Sequence, residues 1–173
     1  MKSKRGFTLI ELLIVIALLG ALAVGLIGAI DPFEQLKKGT DTATRDLVSQ
    51  VQTAVLRYYA VKSQMPWTAS GVNPSGTDLQ TAPMVDALAN MVTAGELKID
   101  FTTIQATKLD KVWVTGEGLP GVDPEVAACY KPTSKSFQAD PNTKFDIYGV
   151  EQAAGFCKSA LPPGANECYW CIQ

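Results

Sequence analysis

The sequence predicts an α+β fold: a long N-terminal helix, kinked near Pro32, packed on a small antiparallel β-sheet. Three observations lead there. Residues 7–30 (FTLIELLIVIALLGALAVGLIGAI) form an apolar run with one charge, Glu11. The next stretch, Phe33 to Lys62, is polar overall but keeps apolar residues at helical spacing. The last third of the chain holds short β-patterned runs separated by glycine and proline.

The leader MKSKRG carries three of the chain's positive charges. Such a leader stays on the cytoplasmic side and orients the following helix outward. As a helix, residues 7–30 would measure roughly 36 Å, enough to cross a bilayer core of about 30 Å. Ala17, Ala21, Gly25 and Ala29 recur every four positions, so they share one helix face. A stripe of small residues lets helix backbones approach closely. Proline cannot donate to the carbonyl of Gly28, so Pro32 interrupts or kinks the helix, and Asp31 is placed to cap its restart. Beyond it, Leu47, Val51, Ala54, Val55 and Tyr58 form one apolar stripe that needs a partner surface. One helix, kinked near Pro32, is therefore expected from about Thr8 to Val61.

Breakers such as Pro66, Gly71, Pro74, Gly76 and Pro83 make residues 64–83 a loop. A short helix is expected over Met84–Ala94, with Val85, Leu88 and Val92 inward, and a second over Leu97–Leu109. Strands are expected at 111–115, 126–131 and 167–172, and a third short strand or crossover at 144–148. A Gly/Pro turn lies between at 117–123, and 149–166 reads as loop. Strands close in sequence and joined by turns pair antiparallel, and the amphipathic helix is their natural cover.

The formal net charge is −2. Loss of Lys2, Lys4 and Arg5 with the leader would make the chain more acidic still. A chain this acidic lacks the broad basic surface that nucleic acid requires. Lys131, Lys135, Lys144 and Lys158 are the one hint of a local patch. There is no histidine, which removes the commonest general base and metal ligand. No Ser/His/Asp, Cys/His, phosphate-loop or dinucleotide motif is present, so no catalytic residue and no cofactor are expected. Asp110, Glu117, Asp123, Glu125, Asp140 and Asp146 are spread over C-terminal loops without calcium-loop spacing. They read as solvated carboxylates.

An ordinary secretory signal would end at Ala21-Leu22-Ala23 and leave a chain starting at Val24. Glu11 argues against that reading, because a carboxylate within the apolar core of a signal is costly. Arg5-Gly6-Phe7-Thr8-Leu9-Ile10-Glu11 instead resembles the class III signal of prepilins, in the superfamily of type IV pilins and type II secretion pseudopilins. The likeness covers residues 4 to about 30 closely. The helix, Asp31-Pro32-Phe33-Glu34-Gln35, Tyr58-Tyr59 and Met65-Pro66 extend it to about residue 66. The C-terminal region is similar only in general plan.

The resemblance implies a type IV pilin-like fold and a sequence of events. A prepilin peptidase in the inner membrane would cut between Gly6 and Phe7, and the new amine of Phe7 would be N-methylated. The helix would hold the subunit in the lipid bilayer, then join identical subunits in a filament with the help of an inner-membrane assembly platform. Residues 1–6 would be leader, 7–30 anchor and filament core, and 31–173 a periplasmic or extracellular globular domain. A buried charge must be paired, and the Phe7 amine is the cation nearest Glu11 in the mature chain. The family favours the amine of a neighbouring subunit, which would set axial register. Thr8 is given no role beyond a local backbone bond. A pilus subunit is favoured over a pseudopilin because of the cysteine-bearing C-terminal region and the lack of a calcium loop. A minor pilin that binds DNA or surfaces is the other reading.

Cys129, Cys157, Cys168 and Cys171 are even in number and lie in a chain expected to be exported, which suggests disulfides. Half a zinc site or a redox C-x-x-C pair at 168–171 would need a second pair or a helix start, and Tyr169-Trp170 favours a strand. In a strand, positions 168 and 171 face opposite ways, so each needs its own partner. Three connectivities exist; the one favoured is Cys129–Cys171 between adjacent strands and Cys157–Cys168 closing a short loop. No metal site is expected.

Overall fold

The structure is a computed structural model. It describes residues 6–29, 31–117, 125–153, 156–157 and 167–173. All of the expected 117–123 turn after Glu117 and most of the loop from 154 to 166, with Asp123 and Lys158, lie outside the described residues.

The chain divides into two compact units, residues 1–36 and 37–173. In the first, helix α1 runs Leu9–Ala29. Helix α2, Pro32–Lys62, opens in the first unit and continues into the second. Pro32 stands at the first position of α2, where its missing N–H costs no intrahelical bond. Asp31 precedes it, and its Oδ1 accepts from the N–H groups of Phe33 at 3.1 Å and Glu34 at 3.2 Å. A side-chain cap of this kind satisfies donors the helix start leaves over.

The second unit is built on one antiparallel sheet. Its described strands are β1 (Thr77–Asp78), β2 (Val112–Glu117), β3 (Glu125–Tyr130), β4 (Thr143–Phe145) and β5 (Tyr169–Ile172), in the order β1-β2-β3-β5-β4. Side chains alternate across a strand, so each strand feeds two layers. Val112, Val114, Val126, Ala128 and Tyr130 meet Leu47, Val48, Val51, Ala54 and Val55 of α2 in the main core. Ala127, Cys129, Tyr169 and Cys171 face the other way, with Trp113, Phe145 and Ile147 packed against them. β3 is central and covered on both faces, which is why its residues from Val126 to Tyr130 are all buried.

Helix α3, Ala82–Thr93, also enters the main core. The inward face differs from the sequence expectation: Met84, Ala87, Leu88 and Met91 are buried, while Val85 is 45% exposed. Both sets obey helical spacing with Leu88 shared, and the flexible methionines are the ones that enter the main core. The second short helix expected over 97–109 shrinks to α4, Phe101–Ile104, and a 3-10 turn at Leu109–Lys111. Only Phe101 and Leu109 of its apolar residues are buried, with Ile99 at 82% and Ile104 at 68% exposure, so no continuous stripe holds a longer helix. A further single turn, α5, spans Lys135–Gln138. The 64–83 loop contains the two-residue edge strand β1 that composition does not reveal.

Two polar devices tie the loops to α2. Asp41 is 2% exposed and accepts from the backbone N–H and hydroxyl of both Thr133 and Ser134, at 2.7–3.1 Å. These donors replace the water that a buried carboxylate loses. Arg45 lies 4.5 Å from the ring centres of both Phe137 and Trp170, and pairs with Asp140 at 2.9 Å. The Arg45 bond, helped by the N–H of Asn142, holds the Asp140 carboxyl below its ordinary pKa of 3.8.

Candidate processing and assembly site

The candidate site is the start of the first unit. Gly6, Phe7 and Thr8 precede the helix without regular secondary structure, and α1 begins at Leu9. A Cβ built on Gly6 meets nothing within 4 Å. No contact within the described chain requires glycine there. Phe7 is 77% exposed.

Glu11 is bound by its own chain. Its Oε2 accepts from the Thr8 N–H at 2.8 Å and from the Thr8 hydroxyl at 2.7 Å. The Thr8 Oγ1 in turn accepts from the Glu11 N–H at 3.4 Å. This reciprocal arrangement is a capping box, with Thr8 at the N-cap and Glu11 three residues on. A carboxylate in the first turn also complements the helix dipole. Thr8 is the residue that sequence reasoning passed over. The spacing Thr8-x-x-Glu11 ahead of an apolar run is a capping-box signature, so the signal was in the sequence.

Leu9–Gly28 is long and apolar enough to cross a membrane, and none of it is buried within the chain. Leu, Ile and Val side chains are exposed all round it. Ala17, Ala21 and Gly25 lie along one face, and a Cβ added at Gly20, Gly25 or Gly28 would meet nothing. The side chain of Ala29 is outside the description.

Cys129 and Cys171 sit on the face of the sheet away from α2. Cys129 of β3 and Cys171 of β5 are directly opposed in the strand register and joined at 2.05 Å. Cys157 is joined to Cys168 at 2.08 Å. Two lysines of the suggested basic patch are neutralised in place: Lys131 by Glu167 and Lys144 by Glu151. Asp146 caps its own loop, accepting from the N–H groups of Tyr148 and Val150 at 2.9 Å. Among the described residues no group of three acidic, cysteine or histidine side chains is gathered as a metal site.

A single exposed apolar helix at the N-terminus, with a capped carboxylate in its first turn and a helix-on-sheet second unit, defines a class. It is a pilin-like α+β architecture with an N-terminal helix long and apolar enough to cross a membrane. Residues 1–27 match the family model described as the prokaryotic N-terminal methylation motif. The match over this N-terminal segment supports a type IV pilin- or pseudopilin-like precursor. No curated protein and no solved structure matches it.

Proposed function

We infer that this chain is the structural subunit of a type IV pilus-like surface filament. Prepilin peptidase cuts it between Gly6 and Phe7, and the new Phe7 amine is methylated. Residues 7–30 then serve as membrane anchor and, later, as filament core, while residues 31–173 form the outward domain. Pro32 marks the kink between core and stalk.

The observation that carries this reading is the exposure of α1. A helix whose apolar side chains are exposed on every side among the described residues needs lipid or other helices around it. An ordinary signal peptide would share the apolar run but has no use for Glu11. In the uncut chain that carboxylate is capped by Thr8. Cutting after Gly6 adds a cation one residue before the cap. The carboxylate then has a charged partner within reach, in its own chain or in a neighbour, and the helix can be buried without an unpaired charge. The stripe Ala17, Ala21, Gly25 and Ala29 offers the face on which neighbours approach.

The openness around Gly6 supports the cut site. Since no contact among the described residues selects glycine there, the requirement falls on the active site that receives the peptide. N-terminal analysis of the protein from cells tests the reading. A mature chain starting at N-methyl-Phe7 is expected, and Gly6→Val should leave full-length precursor in the membrane. A mature chain starting at Val24 would refute it. Electron microscopy of sheared cells separates a surface pilus from a periplasmic pseudopilus.

A further inference from the structure

Two grooves flank α2 within the second unit, and they are unlike. The first, about 490 Å³, is lined by Thr53, Arg57, Glu96, Lys98, Phe101 and Ile104 among others. The second, about 660 Å³, is lined by Gln52, Leu56, Glu125, Tyr148, Val150 and Gln173 among others. At about 100° per residue, Gln52 and Leu56 lie about 100–140° round the helix from buried Val51 in one direction. Thr53 and Arg57 lie about 120–160° round in the other direction. The grooves are therefore on opposite flanks of the same helix.

Their chemistry is complementary. In the first, Arg57 is held by Glu96, with Nε at 2.9 Å from its Oε2 and a second bond to its carbonyl. Lys98 is exposed and has no ion-pair partner among the described residues, so the groove is left with one uncompensated positive charge. In the second, Glu125 is the one charged side chain in the lining, and it too is exposed and unpaired among the described residues. Each groove adds exposed apolar groups: Ile104 at 68% on the first, Tyr148 at 52% and Val150 at 58% on the second. Tyr148 and Val150 are presented by a tight loop. Gly149 has φ +81° and a Cβ there would come within 2.5 Å of the Cβ of Ala127, so only glycine lets the loop lie this close to β3.

We propose that the Lys98 flank of one copy docks on the Glu125 flank of the next copy of this chain. The proposal rests on the filament reading above. Subunits whose anchor helices run parallel all point the same way. A contact between neighbours then joins two different surfaces, and with a rise along the filament axis it propagates instead of closing into a ring. Two unlike flanks with opposite charge and an apolar rim are what such a head-to-tail contact needs, the charges setting register and the apolar groups the buried centre.

Full-length chain in cells gives the test. The double variant K98C/E125C, treated with a short bismaleimide, should give a ladder of cross-linked multimers. K98C alone and E125C alone should give none. K98E and E125K should each lower the yield of sheared filaments several-fold, and the double reversal should restore it. Surface filaments with no ladder, and with both reversals at wild-type yield, overturn the interface and leave the filament reading intact. A ladder within the envelope without surface filaments supports the interface and overturns the surface pilus. A cross-linked dimer from K98C alone shows like-with-like pairing and overturns the head-to-tail contact. Absence of both ladder and filaments overturns the two together.

Discussion

Asp41→Ala should be the most damaging single polar substitution in the second unit. Asp41 is the acceptor for four donors of Thr133 and Ser134, which end the connection from β3 to α5. Thr133 is exposed, so its N–H and hydroxyl can turn to water. Ser134 is 0% exposed, so its N–H and hydroxyl cannot. A buried donor left unsatisfied costs about 1–3 kcal/mol, and two such donors about 2–6 kcal/mol. That is a large share of a typical domain stability of about 5–15 kcal/mol. Asp41→Asn keeps one acceptor oxygen, and the Ser134 hydroxyl can rotate to accept from the new amide, so its cost should be about half. Thr133→Ala, at an exposed site, should cost about 1 kcal/mol or less. Urea titration of the detergent-solubilised chain, followed by tryptophan fluorescence, reads all three. Destabilisation should be largest for Asp41→Ala, smaller for Asp41→Asn and smallest for Thr133→Ala. Asp41→Ala within about 1 kcal/mol of wild type would refute the claim that this carboxylate anchors the loop.

Other substitutions probe the sheet, the ion pair and the cap. A Cβ at Gly116 would fall 2.6 Å from Cζ2 of Trp67, itself 1% exposed, so Gly116→Ala should cost about 1–3 kcal/mol through overpacking and shift the Trp67 emission. The Asp140 carboxyl has its pKa depressed by Arg45, so the stability it contributes is complete above its ordinary value of 3.8 and is lost as pH falls below it. Asp140→Asn should flatten that acid limb, measured as midpoint against pH. Replacing Cys129 and Cys171 together by Ala should lower stability by about 2–4 kcal/mol and increase hydrogen exchange in β5. Thr8→Val removes the hydroxyl that Glu11 accepts from, whereas Thr8→Ser keeps it. Amide exchange over residues 9–12 in micelles should rise in the first and not in the second.

How far the sequence could be read depended on how local each cause is. The α2 stripe was legible because Leu47, Val51, Ala54 and Val55 repeat at helical spacing and are buried together. β2, β3 and β5 were legible from β-branched and aromatic runs between turns. The face of α3 was not, because Val85, Leu88, Val92 and Met84, Leu88, Met91 are both helical faces. Only the position of α2 and the sheet decides between them. β1 escaped because two residues, Thr77 and Asp78, form a strand solely by pairing with Val114 and Trp113 far along the chain. The Asp41 contacts span more than ninety residues and leave no local trace. Thr8 is the opposite case: its cause is three residues away.

That local cause changes how Glu11 should be understood. Without the cap, the carboxylate in a membrane-entering helix would be a charge waiting for a partner. With it, the uncut chain already satisfies one carboxylate oxygen from the Thr8 N–H and hydroxyl. The cap is made of neutral donors, so it shares the charge without cancelling it. A methylated amine on Phe7 would cancel it, and it arises at the residue adjoining the cap. On the proposed reading the precursor is therefore stable as a separate membrane protein for a physical reason. Its charge is hydrogen-bonded but not neutralised, which suits a helix end near the lipid headgroups and not the centre of a helical bundle. Cutting supplies the missing charge at the same place. Processing and readiness for burial then follow from one peptide bond, and the small-residue face of α1 determines only how closely the helices come together afterwards.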